Sequence, residues 1–327
     1  MANPPPVPAD TATDSTPDAA TDAAPGANHD MLLIGHVTRD LIGETPAQGH
    51  RLGGTVSFAA ITALRMRRRP TIITRAQSPA DLNELPAEVE RIVLPSDVTT
   101  TFANVYMPGG RVQHCYTPAA PIAAADIPHN CHNARIVLLG PLVNEIGPDI
   151  APLFGNGTLV AAVPQGWMRR WDENGRVFPK AWDNYAQILP FVDVLVASME
   201  DIDHDLNRLI PFFEHISLIV MTEYRDGSTI YQKEADGRIS ITRIAPRPAS
   251  EVDPTGAGDI FATAFCIRLQ ETGDPIESAR FANVTASYGV EHLGILGVPM
   301  RETVLAYMDK YPFEAVTLPE ELVLSIP

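Results

Sequence analysis

The residues best suited to chemistry lie late in the chain, in Glu251–Phe261, which reads EVDPTGAGDIF and runs into the apolar-periodic ATAFCIRLQ. Pro254-Thr255-Gly256-Ala257-Gly258 is a tight turn of small residues that opens a helix. Glycines let a ligand approach the backbone closely and leave amide N–H groups free to point at it. A helix start adds about half a positive charge. Gly256, Ala257 and Gly258 can therefore form an anion hole suited to phosphate. Asp259 sits in the first turn, where a carboxylate can take a proton from a hydroxyl while the amides hold the phosphoryl group under attack. A bare GAGD is also an ordinary helix-start turn whose acid complements the dipole, so its surroundings must decide. Other nucleotide motifs are missing. There is no GxxxxGK[ST]. Gly256-x-Gly258 lacks the third glycine of GxGxxG and lies far from the first strand, which argues against a dinucleotide-dependent oxidoreductase.

Elements able to position such a turn are legible upstream. MLLIGHV, from Met31, is a short apolar run ending in turn residues, as a buried parallel strand would be. Similar runs follow at 71–74, 135–139, 158–163, 192–196 and 218–222. Amphipathic stretches such as 57–67 and 199–213 lie between them. Alternating strands and helices predict an α/β fold: a three-layer domain with a mostly parallel central sheet flanked by helices. Two β-rich runs, 99–106 and 111–116, flank Pro108-Gly109-Gly110 and read as a hairpin, a candidate lid. Lid strands are expected within about 42–52 and 98–118 of a domain covering 31–327.

The composition is that of a folded protein, with 45% hydrophobic and 20% charged residues among 327. A net charge of -16 argues against nucleic-acid binding, which needs a surplus of Lys and Arg. Residues 1–30 hold six prolines and five aspartates with no basic residue. They read as a disordered acidic tail without the features of a signal peptide. Three scattered cysteines point to a reduced, cytoplasmic protein. No apolar run is long enough for a membrane span. His129, Cys131 and His132 are too tightly spaced to converge on one metal. The basic run from Arg65 to Arg69 complements a helix C-terminus. At least two of Trp167, Trp171 and Trp182 are expected in the core.

With those residues in view, DPTGAGDIF resembles the C-terminal signature of the ribokinase-like (PfkB) carbohydrate kinases, and the resemblance spans most of 31–300. It implies a sheet-and-helix core with a small β lid, and transfer of the ATP γ-phosphate to a sugar, polyol or nucleoside hydroxyl. Asp259 matches the catalytic base, and Gly256, Ala257 and Gly258 match the anion hole. Asp40 matches the carboxylate that binds substrate hydroxyls. Gly53-Gly54 matches a glycine pair that lets substrate lie against backbone. Thr222 and Gly227 match a nucleotide-binding T-x-G-x-x-G, with Tyr224 in place of its first glycine. Asn283 lies on a late helix that packs against adenine, and Asp253 lies near the nucleotide and a monovalent cation. Ser198 and Asp201 match an NxxE motif acting around magnesium, with Ser for Asn. Phe58 stands where the family often has an Asn for a substrate hydroxyl.

The segments SFAA, PQGWMRRWDENGRV, ASMED and VEHLG are similar to the plant-type inositol kinase branch. The resemblance thus implies a kinase using ATP and Mg2+, with inositol-like polyols first among substrates. Phosphosugars rank lower for want of a basic cluster. An exposed lid edge could pair with a second copy. The other reading is a non-catalytic sugar- or nucleoside-binding relative of the same fold, for which Phe58, Ser198 and Tyr224 speak; a nucleoside kinase is a further alternative.

Overall fold

The computed structural model describes residues 29–42, 49–107, 110–313 and 315–318. The chain opens with β1 (Met31–Ile34), β2 (Thr38–Leu41), β3 (His50–Gly53) and α1 (Thr55–Arg65). Next come β4 (Pro70–Ala76), β5 (Glu90–Pro95), β6 (Thr101–Met107), β7 (Gly110–Thr117), β8 (Ile136–Leu139) and β9 (Leu159–Ala162). A short pair, β10 (Arg169–Trp171) and β11 (Val177–Pro179), precedes the single turn α2 (Tyr185–Ile188). Then follow β12 (Val194–Ser198), β13 (Leu218–Thr222), β14 (Ser228–Lys233) and β15 (Ile239–Ile244). The last elements are α3 (Ala257–Thr272), α4 (Pro275–Gly289), α5 (Arg301–Lys310) and β16 (Val316–Leu318).

The main sheet runs β16-β15-β14-β13-β12-β9-β8-β1-β4-β5. From β13 to β5 its neighbours pair in parallel, while β14, β15 and β16 add on antiparallel. Every residue of β1 is buried, because the sheet is covered on both faces. Met31 and Leu33 pack into a core shared with α1, α3, α4 and α5, whereas Leu32 and Ile34 face a second core on the opposite side. Alternation along a single strand thus divides the molecule into three layers.

The two outer layers differ. Long helices cover the first face. On the second, α2 and tight 3₁₀ turns do the covering. The stretch 199–213, which reads as an amphipathic helix, is instead a nine-residue 3₁₀ segment, Leu206–Glu214. Pro211 inside it removes an N–H donor and blocks α-helical continuation. Trp167 and Trp182 stack 4.7 Å apart in this layer, both buried.

A second sheet, β3-β2-β6-β7, stands apart from the first. The hairpin read from the sequence is its β6–β7 half. Phe102, Cys115, Leu142 and Val143 form a small core beneath it, joined by Trp171 and Val177 from β10 and β11. The acidic tail expected over 1–30 lies outside the described residues except at its end. There His29 is buried and the Asp30 carboxylate accepts from the Arg69 N–H, so both belong to the fold. Arg68 of the basic run is buried too, paired with Asp30 and Glu271.

Candidate active site

One pocket lies between the lid and the first turns of α1 and α3. Thr38, Asp40, Gly54, Thr55, Phe58, Phe102, Asn104, Gln113, Leu142, Gln165, Arg169, Thr255, Gly256 and Asp259 line it. Two helix N-termini thus open on the same space, each contributing about half a positive charge. That field partly offsets the carboxylates gathered there.

The glycines are needed for contact reasons. Gly54 has φ +91°, and a Cβ there would come within 2.5 Å of the His36 carbonyl. At Gly53 a Cβ would lie 2.2 Å from Asp40 Oδ2 and 2.7 Å from Thr38 Oγ1. The pair therefore makes room for Asp40, whose other oxygen accepts a 2.7 Å bond from the Thr38 hydroxyl. Gly256, at φ +78°, immediately precedes α3. A Cβ there would sit 2.3–2.5 Å from the Phe58 ring. The aromatic ring that stands where the family often has an Asn thus forms the floor of the Gly256–Gly258 turn. Within that turn the Ala257 N–H bonds back to the Pro254 carbonyl at 3.1 Å. This narrows the expectation for Ala257: its amide closes the turn.

Asp259 opens on the pocket in the first turn of α3. Burial pushes its pKa up to about 6; the Thr55 hydroxyl and the Arg169 guanidinium pull it down, and Asp201 and Asp40 push it up. A carboxylate titrating there is ionised at neutral pH and still basic enough to accept a hydroxyl proton.

The remaining sequence candidates fall elsewhere. Asn283 is 5% exposed, and its amide donates to Ser228 Oγ at 3.1 Å and to the Ile244 carbonyl at 3.0 Å. The expectation that it faces a base is corrected: it ties α4 to β14 and β15. Both oxygens of Asp253 accept a hydrogen bond, from the N–H groups of Thr255 and Gly294. Burial raises the Asp253 pKa, but those bonds and Arg51 outweigh it and hold the carboxyl below the ordinary range. Ser198 donates from both its N–H and its hydroxyl to Asp201 Oδ2, each at 2.8 Å. Burial raises the Asp201 pKa, opposed by Arg169 and by these bonds. Thr222 ends β13, and Gly227, at φ +95°, would place a Cβ 2.2 Å from the Ile244 carbonyl. Tyr224 occupies the left-handed region at φ +56°, where the family's glycine would cost nothing. Its hydroxyl donates to Glu251 at 2.8 Å, and the ring is 67% exposed.

Sequence reasoning missed much of the pocket wall. Asn104 and Gln113 face each other across the lid hairpin, the Gln113 amide donating to Asn104 Oδ1 at 3.1 Å. Arg169, from β10, brings a cation to the pocket. The hairpin carrying it is held against the lid by the Cys115 N–H donating to the Gly175 carbonyl at 2.7 Å. Behind the wall, buried Glu145 accepts from the N–H groups of His36, Leu142 and Val143. His36 Nε2 donates to the Ala120 carbonyl at 3.0 Å, which places that ring proton on Nε2. Long-range partners of this kind leave no local spacing to read.

Three comparisons bear on this geometry. The family model described as pfkB family carbohydrate kinase matches residues 175–299. The inositol 3-kinase of Zea mays is 27% identical over 298 residues, covering 82% of this chain and 71% of that protein. Together they support a ribokinase-like PfkB carbohydrate kinase. They likewise support a sugar or polyol kinase enzyme. The fold of this kinase matches that of a pyrophosphate-dependent kinase in the ribokinase family complexed with a pyrophosphate analog and myo-inositol. The TM-score is 0.69 at 21% identity, over 85% of this chain and 99% of that one. An Arabidopsis thaliana ribokinase complexed with ribose and ATP matches at TM-score 0.64 and 18% identity, over 85% and 98% of the two chains. Among the described residues no helix is long and apolar enough to cross a membrane.

Proposed function

We propose that this kinase transfers the γ-phosphate of ATP to a hydroxyl of a neutral cyclic polyol, myo-inositol foremost. The observation that carries the reading is the wall opposite Asp259: Asp40 from the strand beside the glycine pair, uncharged amides at Asn104, Gln113 and Gln165, and one cation, Arg169. Amides and a carboxylate suit hydroxyl groups, which both donate and accept. A phosphorylated sugar would call for more positive charge than Arg169 supplies.

In the step itself, Asp259 takes the acceptor's hydroxyl proton and the freed oxygen attacks the γ-phosphorus. The bond from that phosphorus to the bridging oxygen breaks, and ADP leaves. The Gly256 and Gly258 amides stabilise charge on the transferring group, at about 3 kcal/mol per donor. Arg169 balances the carboxylates around it. Closure of the lid excludes water, which limits wasteful hydrolysis.

Among the described residues no group of three or more His, Cys, Asp or Glu is arranged to hold a metal ion. Magnesium would neutralise charge on the donor's phosphates, with Ser198 and Asp201 the residues that would face it. Each oxygen of Asp253 accepts one backbone N–H and keeps a lone pair that a monovalent cation could use.

A nucleotide donor is favoured by exposed apolar groups around the anion-hole loop. Val252, Leu293 and Leu296 are 59%, 53% and 78% exposed, and the Val252 and Asp253 N–H groups bond the Val290 carbonyl. A base can lie against such groups, whereas pyrophosphate has no use for them. The inward turn of Asn283 speaks for pyrophosphate as the second donor. Pairing of two copies would use the β3 edge of the lid, since β7 already carries the β10–β11 hairpin. Three buried free cysteines suit a reducing cytoplasm.

The test is a panel of polyols, sugars and nucleosides, offered with ATP and with pyrophosphate. Substrate-dependent ADP release, highest with inositols, is expected. Absence of donor turnover with any acceptor would favour the non-catalytic binding protein.

A further inference from the structure

Thr55 is the first residue of α1, directly after the glycine pair, and lies on the pocket with Asp259. Its residue surface is fully buried, and its Oγ1 makes no hydrogen bond of full geometry, although it lies close enough to the Asp259 carboxyl to lower that group's pKa. Such an orphan costs stability, and native chains rarely keep one without a use. The other hydroxyls of the same helix behave differently. Ser57 donates to the Gly53 carbonyl at 2.7 Å and Thr62 to the Phe58 carbonyl at 2.8 Å. Thr55 begins the helix, so no preceding helical turn offers it a carbonyl.

Its rotamer is held by packing. A Cβ on Gly140 would come within 2.5 Å of Thr55 Cγ2, so only glycine there leaves room for this methyl. The methyl fills this niche, and the hydroxyl shares the pocket with the Asp259 carboxyl. Burial is the largest influence on the Asp259 carboxyl. The Thr55 hydroxyl is the next and favours the charged form, ahead of Arg169; Asp201 and Asp40 act the other way.

We propose that Thr55 is a positioning residue for Asp259: its hydroxyl donates to one carboxylate oxygen during turnover, leaving the other oxygen to take the acceptor's proton. The inference rests on the reading of Asp259 as the base. It adds a job for a residue that neither motif nor spacing marks. A hydrogen bond to the charged form lowers the pKa of a carboxylate. A fixed oxygen also spares the base a rotational search at the moment of transfer.

The experiment compares Thr55→Val and Thr55→Ser with the unaltered enzyme, using myo-inositol and ATP, with Asp259→Asn alongside. Thr55→Val keeps the shape and removes the orphan, so its melting temperature should be no lower than that of the parent. Its kcat should fall by about 10-fold or more, with the acid limb of kcat/KM moving up by about 0.5–1 pH unit. Acceptor KM should stay within about 3-fold, a change too small for a lost direct hydrogen bond. Thr55→Ser should restore both limb and kcat. An unmoved limb overturns the proposal, as does a fall in activity that tracks a fall in melting temperature. A large rise in acceptor KM with kcat unchanged also overturns it, since the hydroxyl would then bind acceptor directly. If Asp259→Asn keeps its turnover, the base reading fails first. If only Asp259→Asn is impaired, this inference alone fails.

Discussion

The two sides of the proposed anion-hole turn are built on different principles. On the acceptor side, backbone and carboxylates interlock: Gly53 makes room for Asp40, Phe58 floors Gly256, and buried Glu145 gathers three backbone N–H groups behind Leu142. On the donor side, Tyr224 sits in a left-handed conformation with an exposed ring, and large apolar side chains stand in solvent. Asn283, which the family resemblance assigned to the nucleotide, is absorbed into the fold. The acceptor side is pre-organised and intolerant of change. The donor side is a set of surfaces on which a ligand can settle. Chemistry should therefore respond sharply to small changes on the first side and mildly to larger ones on the second.

The largest effect is expected at Asp259. Asp259→Asn should lower kcat by roughly 10²–10⁴-fold in a steady-state ADP-release assay. Stability should move the other way. A carboxyl raised from 3.8 to about 6 by burial holds a proton that the unfolded chain releases. Its contribution to stability is complete below the unfolded pKa and is lost as pH rises through the folded one. The variant should therefore unfold later than its parent at pH 8, by on the order of 1–2 kcal/mol, and the gap should close toward pH 4. Chemical denaturation at both pH values checks this.

Gly256→Ala comes next. Its Cβ meets the Phe58 ring and its φ is unfavourable to L-residues, so a stability loss of about 1–3 kcal/mol and a kcat loss of at least about 10-fold are expected. A Phe58→Leu change in the same chain should recover part of both, which stability and rate measurements on the double variant would show. Gly53→Ala drives a methyl into Asp40 Oδ2. It should raise the acceptor KM by about 10-fold while leaving the donor KM nearly unchanged, a loss of about 1.4 kcal/mol in acceptor binding. Separate titrations of the two substrates would tell.

The smallest effect belongs to the donor side. Tyr224→Gly relieves an unfavourable φ but gives up the bond to Glu251. Net stability should change by less than about 1 kcal/mol. Donor KM should change by a few-fold, with the acceptor KM unmoved. A larger loss of acceptor affinity here than at Gly53 would erase the distinction between the two sides.

The same contrast explains what could be read from the sequence. The parallel strands were legible because sheets covered on both faces demand unbroken apolar runs, as in MLLI and LIVMT. PTGAGD stood out because close backbone approach tolerates few residue types, whereas Asp40 and Gly53-Gly54 were singled out by the family resemblance alone. Leu206–Glu214 misled because its apolar spacing looks helical while Pro211 constrains the backbone. Asn283 misled because an amide on a helix can serve a ligand or the sheet beneath it, and only its neighbours decide. Asn104, Gln113, Gln165 and Arg169 come from separate segments and meet only when the lid and the β10–β11 hairpin dock, so no window of sequence contains them together.

The most direct test of the account is the pH dependence of kcat/KM for myo-inositol between pH 5 and 9, for the enzyme and for Asp259→Asn. The account predicts a one-proton acid limb near pH 6 in the enzyme, matching the carboxyl that burial raises to about 6, and no such limb in the variant. A parent profile that stays flat down to pH 5, or an identical limb in Asp259→Asn, would contradict it.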